Sequence, residues 1–150
     1  MLWRALIAFL ALPGIVAIGL PAWFAASELR AGHAFHAVGL LPLLAGLGLL
    51  LWCVREFYVA GKGTLAPWSP PKHLVASGPY RFSRNPMYVA VCLMLIGWAS
   101  AFDSLWLALY ACVVAVAFQL RVVFGEEPWL ARTHGSAWYE YRSRVPRWLL

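Results

Sequence analysis

Along this chain the apolar residues gather into four long runs, and the charged residues collect at their ends. The first run lies between Arg4 and Glu28, interrupted only by Pro13, Pro21 and glycines. The second extends from Ala37 to Val54 and closes at Arg55-Glu56. The third opens at Pro86 and ends before Asp103; the fourth goes from Ser104 to Leu120 and stops at Arg121. Runs of this kind predict helices that cross a bilayer, the last two near the lower limit of about 17 residues, so that flanking Arg and Trp must reach outward. Prolines inside the first run are compatible with a membrane helix, because neighbouring groups re-satisfy the freed carbonyls. The pattern therefore predicts an all-α fold, an integral membrane bundle of four transmembrane helices.

Two segments between and after the runs carry a different pattern. The loop Gly61–Asn85 holds Gly61, Gly63, Pro67, Pro70, Pro71, Gly78 and Pro79. That length suits a functional loop, and its Pro/Gly punctuation suits a fixed irregular path. From Pro128 to Arg144 the tail is amphipathic: Trp129, Leu130, Trp138 and Tyr141 recur at helical spacing among Arg132, Glu140, Arg142 and Arg144. Such a helix lies at the headgroup level. Pro128 biases Glu127 away from helical dihedrals, which predicts a joint between the fourth span and the tail. No internal repeat or second domain is visible, so residues 1–150 read as one membrane-embedded domain.

Composition strengthens the membrane reading. Of the 150 residues, 63% are hydrophobic and 12% charged, against roughly half and a quarter in soluble domains. The formal charge of +6 would raise nucleic acid as a partner of a soluble protein. Here the basic residues flank apolar runs, which points to anionic lipid headgroups and away from nucleic acid. Lys62, Lys72, Arg81 and Arg84 fall between the second and third runs, and Arg132, Arg142, Arg144 and Arg147 follow the fourth. With four spans these segments share one side, leaving Arg30 on the other, and the positive-inside rule makes both termini of this multi-pass protein cytoplasmic. The first run reads as a retained helix and not a signal peptide. Cys53, Cys92 and Cys112 stand singly in apolar runs, which predicts neither a disulfide nor a metal site. His33 and His36 read as interfacial histidines at the outer start of the second span.

Candidate chemistry concentrates on the cytoplasmic face. The stretch from Leu74 to Tyr88 ends in Asn85-Pro86, a helix start with Asn as N-cap and Pro at the first helical position. The third span thus turns free N–H groups toward the cytoplasm, with Arg81 and Arg84 just ahead and Tyr80 and Tyr88 on either side. Such a spot suits an anionic group beside an aromatic surface; a basic-aromatic interfacial anchor would show the same residues. The second cluster is Glu126-Glu127-Pro128. Its acids either support the tail helix dipole or, with the loop, form a polar ligand site under the bundle.

These residues together resemble the isoprenylcysteine carboxyl methyltransferase family and its phospholipid methyltransferase relatives. The family pattern is roughly Leu-Val-x-x-Gly-x-Tyr-x-x-x-Arg-His-Pro-x-Tyr-x-Gly, then Glu-Glu-x-x-Leu, Phe-Gly-x-x-Tyr-x-x-Tyr and Val-Pro. This chain shows Leu74-Val75, Gly78, Tyr80, Arg84-Asn85-Pro86 and Tyr88, then Glu126-Glu127 with Leu130, His134-Gly135, Trp138, Tyr141 and Val145-Pro146. It departs at Asn85 for the family's His, Ala90 for Gly, His134 for Phe and Trp138 for the first Tyr; Asn85 can hydrogen-bond but cannot titrate near neutral pH. The resemblance implies S-adenosylmethionine as cofactor, held by Lys72, His73, Leu74 and Val75, by Tyr80, Arg84, Asn85, Pro86, Met87 and Tyr88, and by Glu127. Glu127 then requires a cationic partner, either a protein Arg or the cofactor's amino group. The acceptor implied is lipophilic and partitioned into the membrane, with Arg121 as a candidate for holding its carboxylate or phosphate; no metal is implied. Rival readings are an NADPH-dependent membrane reductase of the sterol and steroid type, whose comparable loop ends in an acid that this chain lacks after Tyr88, and a non-catalytic membrane module.

Overall fold

The computed structural model describes residues 10–60 and 74–149. Among them every regular element is helical. A π-wound segment, Leu10–Gly19, runs directly into α1, Leu20–Arg30. A short 3-10 turn, Ala37–Gly39, opens α2, Leu40–Val59. The loop returns through a second 3-10 turn, Gly78–Arg81, to α3, Pro86–Phe102, and then α4, Leu105–Arg121. A π-wound turn, Val122–Glu126, leads into the tail helices α5, Glu127–His134, and α6, Ser136–Arg144.

The expected count of four spans is not met among the described residues. Two helices are long and apolar enough to cross a membrane: Ala37–Val59, at mean hydropathy 2.3, and Leu105–His134, at 2.1. The third run gives only the 17-residue helix Pro86–Phe102. It is bounded by Pro86 at its start and by Asp103 at its end, which takes the left-handed conformation (φ 46°) that halts a helix. The first run lies partly outside the described residues. The two long helices are not core helices of a soluble protein, for only 22% and 17% of their apolar windows is buried. Leu41, Leu44 and Leu51 on α2 and Leu105, Val113 and Val116 on α4 face outward, and so large an apolar surface calls for lipid or a partner.

α3 is the centre of the bundle. Its Ala90, Val91, Met94 and Leu95 pack with Leu50 of α2, Val114 of α4 and Ala17 of the π-wound segment. Glycine brings α2 and α3 together: a Cβ on Gly46 would stand 2.6 Å from the Ala90 oxygen, and one on Gly97 2.6 Å from the Leu43 nitrogen. Close backbone approach through small residues is how membrane helices pack without a hydrophobic driving force between them. At the far end, Ser104 caps α4 and its hydroxyl bonds Glu28, whose other oxygen meets His33 Nδ1 at 2.5 Å.

Three local expectations are corrected. The second helix runs on to Val59, so Arg55 and Glu56 lie inside it. Glu127 is fully helical (φ −61°, ψ −44°) despite the proline that follows. The π-wound turn makes this possible, because the Glu127 N–H bonds back five residues to the Val122 carbonyl, and the register shift accommodates a ring that would disrupt a regular α-helix. The tail is not a single helix: it breaks at Gly135 (φ 52°), and Trp138 and Tyr141 are buried with Val145, against Leu74 and Leu130.

Candidate functional site at the loop and tail

The segment 83–85, the start of α3 and the C-terminal tail meet at one end of the bundle. The Arg84 N–H donates to the Pro146 carbonyl at 2.9 Å. Asn85 occupies the N-cap position, but its side chain makes no cap bond; its amide donates instead to the Arg147 carbonyl at 2.9 Å. The expected side-chain cap is therefore absent: the bond from Nδ2 to the docked tail fixes the orientation of the side chain, and the Tyr88 and Val89 N–H groups bond the Asn85 backbone carbonyl instead. Ser83 joins the same carbonyl, at 3.3 Å, and accepts the Asn85 N–H at 3.1 Å.

Glu127 stands at the centre of this junction. Its Oε1 accepts from Arg84 Nη1 and from Arg147 Nε, both at 2.8 Å, and its Oε2 accepts from Arg147 Nη2 at 2.9 Å. The side chains of Arg84 and Glu127 are only 8% and 11% exposed. Burial pulls the Arg84 guanidinium below its ordinary pKa and Glu127 opposes that pull; the Glu127 hydrogen bond lifts Arg147 above its own. Arg84 lies 5.4 Å from the Trp138 ring, so an aromatic face joins Glu127 in balancing the charge. The cationic partner expected for Glu127 is thus supplied by Arg84 together with Arg147.

Glu126 belongs to a separate group. The Tyr88 hydroxyl donates to its Oε1, and Arg121 Nε donates to the same oxygen at 2.8 Å and to the Tyr88 hydroxyl at 3.1 Å. Tyr88 also stacks on Phe118, with centroids 4.3 Å apart. Phe118 in turn lines an apolar groove of about 440 Å³ between α3 and α4, with Val89, Cys92, Gln119 and Trp148 among its walls. Trp148 closes one side by donating its indole N–H to Gln119 at 3.0 Å. Phe118 thus joins a wall of the groove to the Tyr88–Glu126–Arg121 group, and the tail residues Arg147 and Trp148 link it to Glu127.

The remaining sequence candidates are more scattered. Tyr80 is buried against α2, packed with Cys53 and Val75, and its hydroxyl has no partner among the described residues. Burial pushes that hydroxyl well above the usual tyrosine range. Its carbonyl accepts from the Tyr141 hydroxyl at 2.7 Å, tying the turn to α6. Val75 is buried, and Leu74 and Met87 are half-buried beside these groups; Pro86 is buried at the start of α3. Lys72 and His73 lie outside the described residues. Sequence reasoning overlooked Arg147, which looked like one more tail cation, and Ser83 and Glu56. For Glu56 a signal existed, an acid closing an apolar run.

A family model described as phospholipid methyltransferase matches residues 34–137. Two curated relatives are similar to this chain. The cobalt-zinc-cadmium resistance protein CzcN of Cupriavidus metallidurans is 31% identical over 136 residues, covering 82% of this chain and 57% of that protein. The nickel-cobalt-cadmium resistance protein NccN of Alcaligenes xylosoxydans xylosoxydans is 28% identical over 116 residues, covering 75% and 48%. The chain thus spans about half the length of these relatives. No solved structure matches it.

Proposed function

The chain belongs to the phospholipid methyltransferase family, and on that premise we propose that it transfers a methyl group from S-adenosylmethionine to a lipophilic acceptor drawn from the membrane. The observation that carries this reading is an apolar groove flanked by two polar groups: Phe118 on its wall stacks on Tyr88 of the Glu126–Arg121 group, and Trp148 on its wall adjoins Arg147 of the Glu127 junction. A charged cofactor and a lipid tail need those two environments side by side. In this reading residues 1–150 act as one domain, and both termini and the loop face the cytoplasm.

The residues present fit such a cofactor. Arg84 Nε is a buried donor without a partner among the described residues, which suits it to receive a carboxylate. Glu127 suits an amino group, with Arg147, the more exposed of its two partners at 31%, giving way while Arg84 stays. Asn85, Pro86, Met87 and Tyr88 form the adjoining start of α3, Val75 and Tyr80 pack behind Met87, and Lys72, His73 and Leu74 are carried over from the resemblance. When bound, the cofactor supplies a methyl group on a sulfonium centre. Transfer of that methyl carbon to an acceptor, with a neutral thioether as leaving group, would call on the protein chiefly to align the acceptor and exclude water. The groove holds the acceptor's apolar chain, and Arg121 with Tyr88 holds its polar end.

Calorimetry of the purified chain with S-adenosylhomocysteine and, separately, NADPH tests the reading, followed by transfer of labelled methyl into a lipid extract. Binding of the first ligand and label in the organic phase are expected. Binding of NADPH alone would replace the reading with the reductase, and binding of neither with a non-catalytic module.

A further inference from the structure

We propose that Glu56 is a positioning residue of the methyl-transfer site, which from inside α2 fixes the 77–81 turn to which the tail is locked. A carboxylate in an apolar helix is costly, and the Glu56 side chain is only 10% exposed. Its contacts show where it acts. Ser77 Oγ donates to Oε2 at 2.6 Å, and Arg55 Nη1 donates to Oε1 at 3.0 Å. Ser77 precedes the 3-10 turn Gly78–Arg81 in an extended conformation, yet its hydroxyl does not cap that turn; it is committed to Glu56. Gly78, at φ +56°, then sits directly on the acid: a Cβ there would lie 2.8 Å from Glu56 Cγ and 3.1 Å from Trp52 Nε1.

The same face of α2 continues the hold. Cys53, one helical turn before Glu56, packs against Tyr80, and the ring of Phe57 lies 5.4 Å from the Tyr80 ring. With its ring seated, Tyr80 presents its carbonyl to the Tyr141 hydroxyl at 2.7 Å. Four residues on, Arg84 bonds Pro146 through its backbone and Glu127 through its side chain. Glu56 is therefore the fixed end of a sequence of contacts running from α2 through the turn to the tail and Glu127. An apolar residue would pack in its place, as Cys53 does, but only an acceptor can set the direction of Ser77, and a charged one bonds it more strongly than a neutral one. The consequence for cofactor affinity rests on the methyltransferase reading; the hold on the turn does not.

The test uses the full chain in detergent, as wild type, Glu56→Gln, Ser77→Ala and the double variant. Hydrogen exchange is followed without ligand at the amides of Tyr80, Phe82 and Ser83, which bond the Ser77 and Pro79 carbonyls within the turn. Calorimetry then measures S-adenosylhomocysteine binding. Both single variants should exchange about five- to tenfold faster at those amides with α3 unchanged, the double variant should add little, and the dissociation constant should rise by a similar factor. Unchanged exchange in both single variants overturns the proposal, as does acceleration spread evenly over α2, α3 and α4, which would make Glu56 a general support of folding. Should Glu56→Gln fail to fold, the local exchange and affinity of Ser77→Ala decide the matter alone. Local acceleration with unaltered affinity overturns the role in the site. Local acceleration in a chain whose wild type does not bind S-adenosylhomocysteine leaves Glu56 holding the turn and removes the methyltransferase reading instead.

Discussion

Glu126 and Glu127 are neighbours in sequence with different surroundings, and replacing each by glutamine separates them. Glu127 balances the nearly buried Arg84 as well as Arg147, so Glu127→Gln leaves a buried guanidinium without its counter-charge. That should lower stability by about 3 kcal/mol, with or without ligand, as a lower thermal midpoint in detergent would show. Glu126 is paired with Arg121, whose side chain is 56% exposed, and Glu126→Gln should cost less than about 1 kcal/mol. Equal, small losses for both would mean that the Arg84–Glu127–Arg147 junction contributes little. Asn85→Ala removes the amide that holds the Arg147 carbonyl, and about 1 kcal/mol with it. The expected readout is easier cleavage of the tail by carboxypeptidase while the spans stay folded; Asn85→Asp, which offers that carbonyl no donor when ionised, should behave alike.

At the scale of elements, the α2–α3 seam is the contact least tolerant of added volume. The resemblance expects a glycine where Ala90 stands, and the structure shows why alanine is accepted: the close approach is made by Gly46 on the opposite helix, against the Ala90 carbonyl. Gly46→Val and Gly97→Val should therefore each separate the helices and abolish the folded fraction recovered from detergent. Gly48→Val should be near neutral, because nothing lies within 4 Å of a Cβ at Gly48. A similar loss in all three would assign the effect to helix propensity and not to the seam. The joint at Glu127 teaches a related lesson: a proline predicts a break, but a π-wound turn ahead of it lets the helix continue with only its register changed.

For the whole molecule, the basic loop and tail predict that one end of the bundle lies in the cytoplasm. Single cysteines near Arg30 and Asp103, in a background lacking the three native cysteines, should react with an impermeant maleimide in intact cells, whereas a cysteine at Ser143 should react only after lysis. The reverse labelling would invert the protein and place the Glu127 junction on the side without the expected cofactor supply. The methyltransferase reading makes a further demand on the groove between α3 and α4, since in that reading the acceptor enters it from the bilayer. Cys92→Trp, on its wall, should lower methyl transfer to lipid severalfold while leaving S-adenosylhomocysteine affinity unchanged.

The sequence alone determined the helical, membrane-directed character of the described elements, because long apolar runs leave the backbone few alternatives once water is absent. It also placed Tyr88, Arg84, Asn85 and the Glu126-Glu127 pair at one end, since Pro86 and the ends of the apolar runs are local signals. Partner choice was not local. Whether Glu127 meets Arg84, Arg121 or Arg147 depends on how α4, the loop and the tail converge, and the structure gives Arg121 to Glu126 instead. The orientation of Asn85 toward the tail and the burial of Trp138 likewise required the docked tail. Glu56 was visible as an acid closing an apolar run, but only the fold brought Ser77 and Gly78 back across the loop to meet it, because hydrogen bonds between distant segments are set by the path of the chain and not by neighbouring residues.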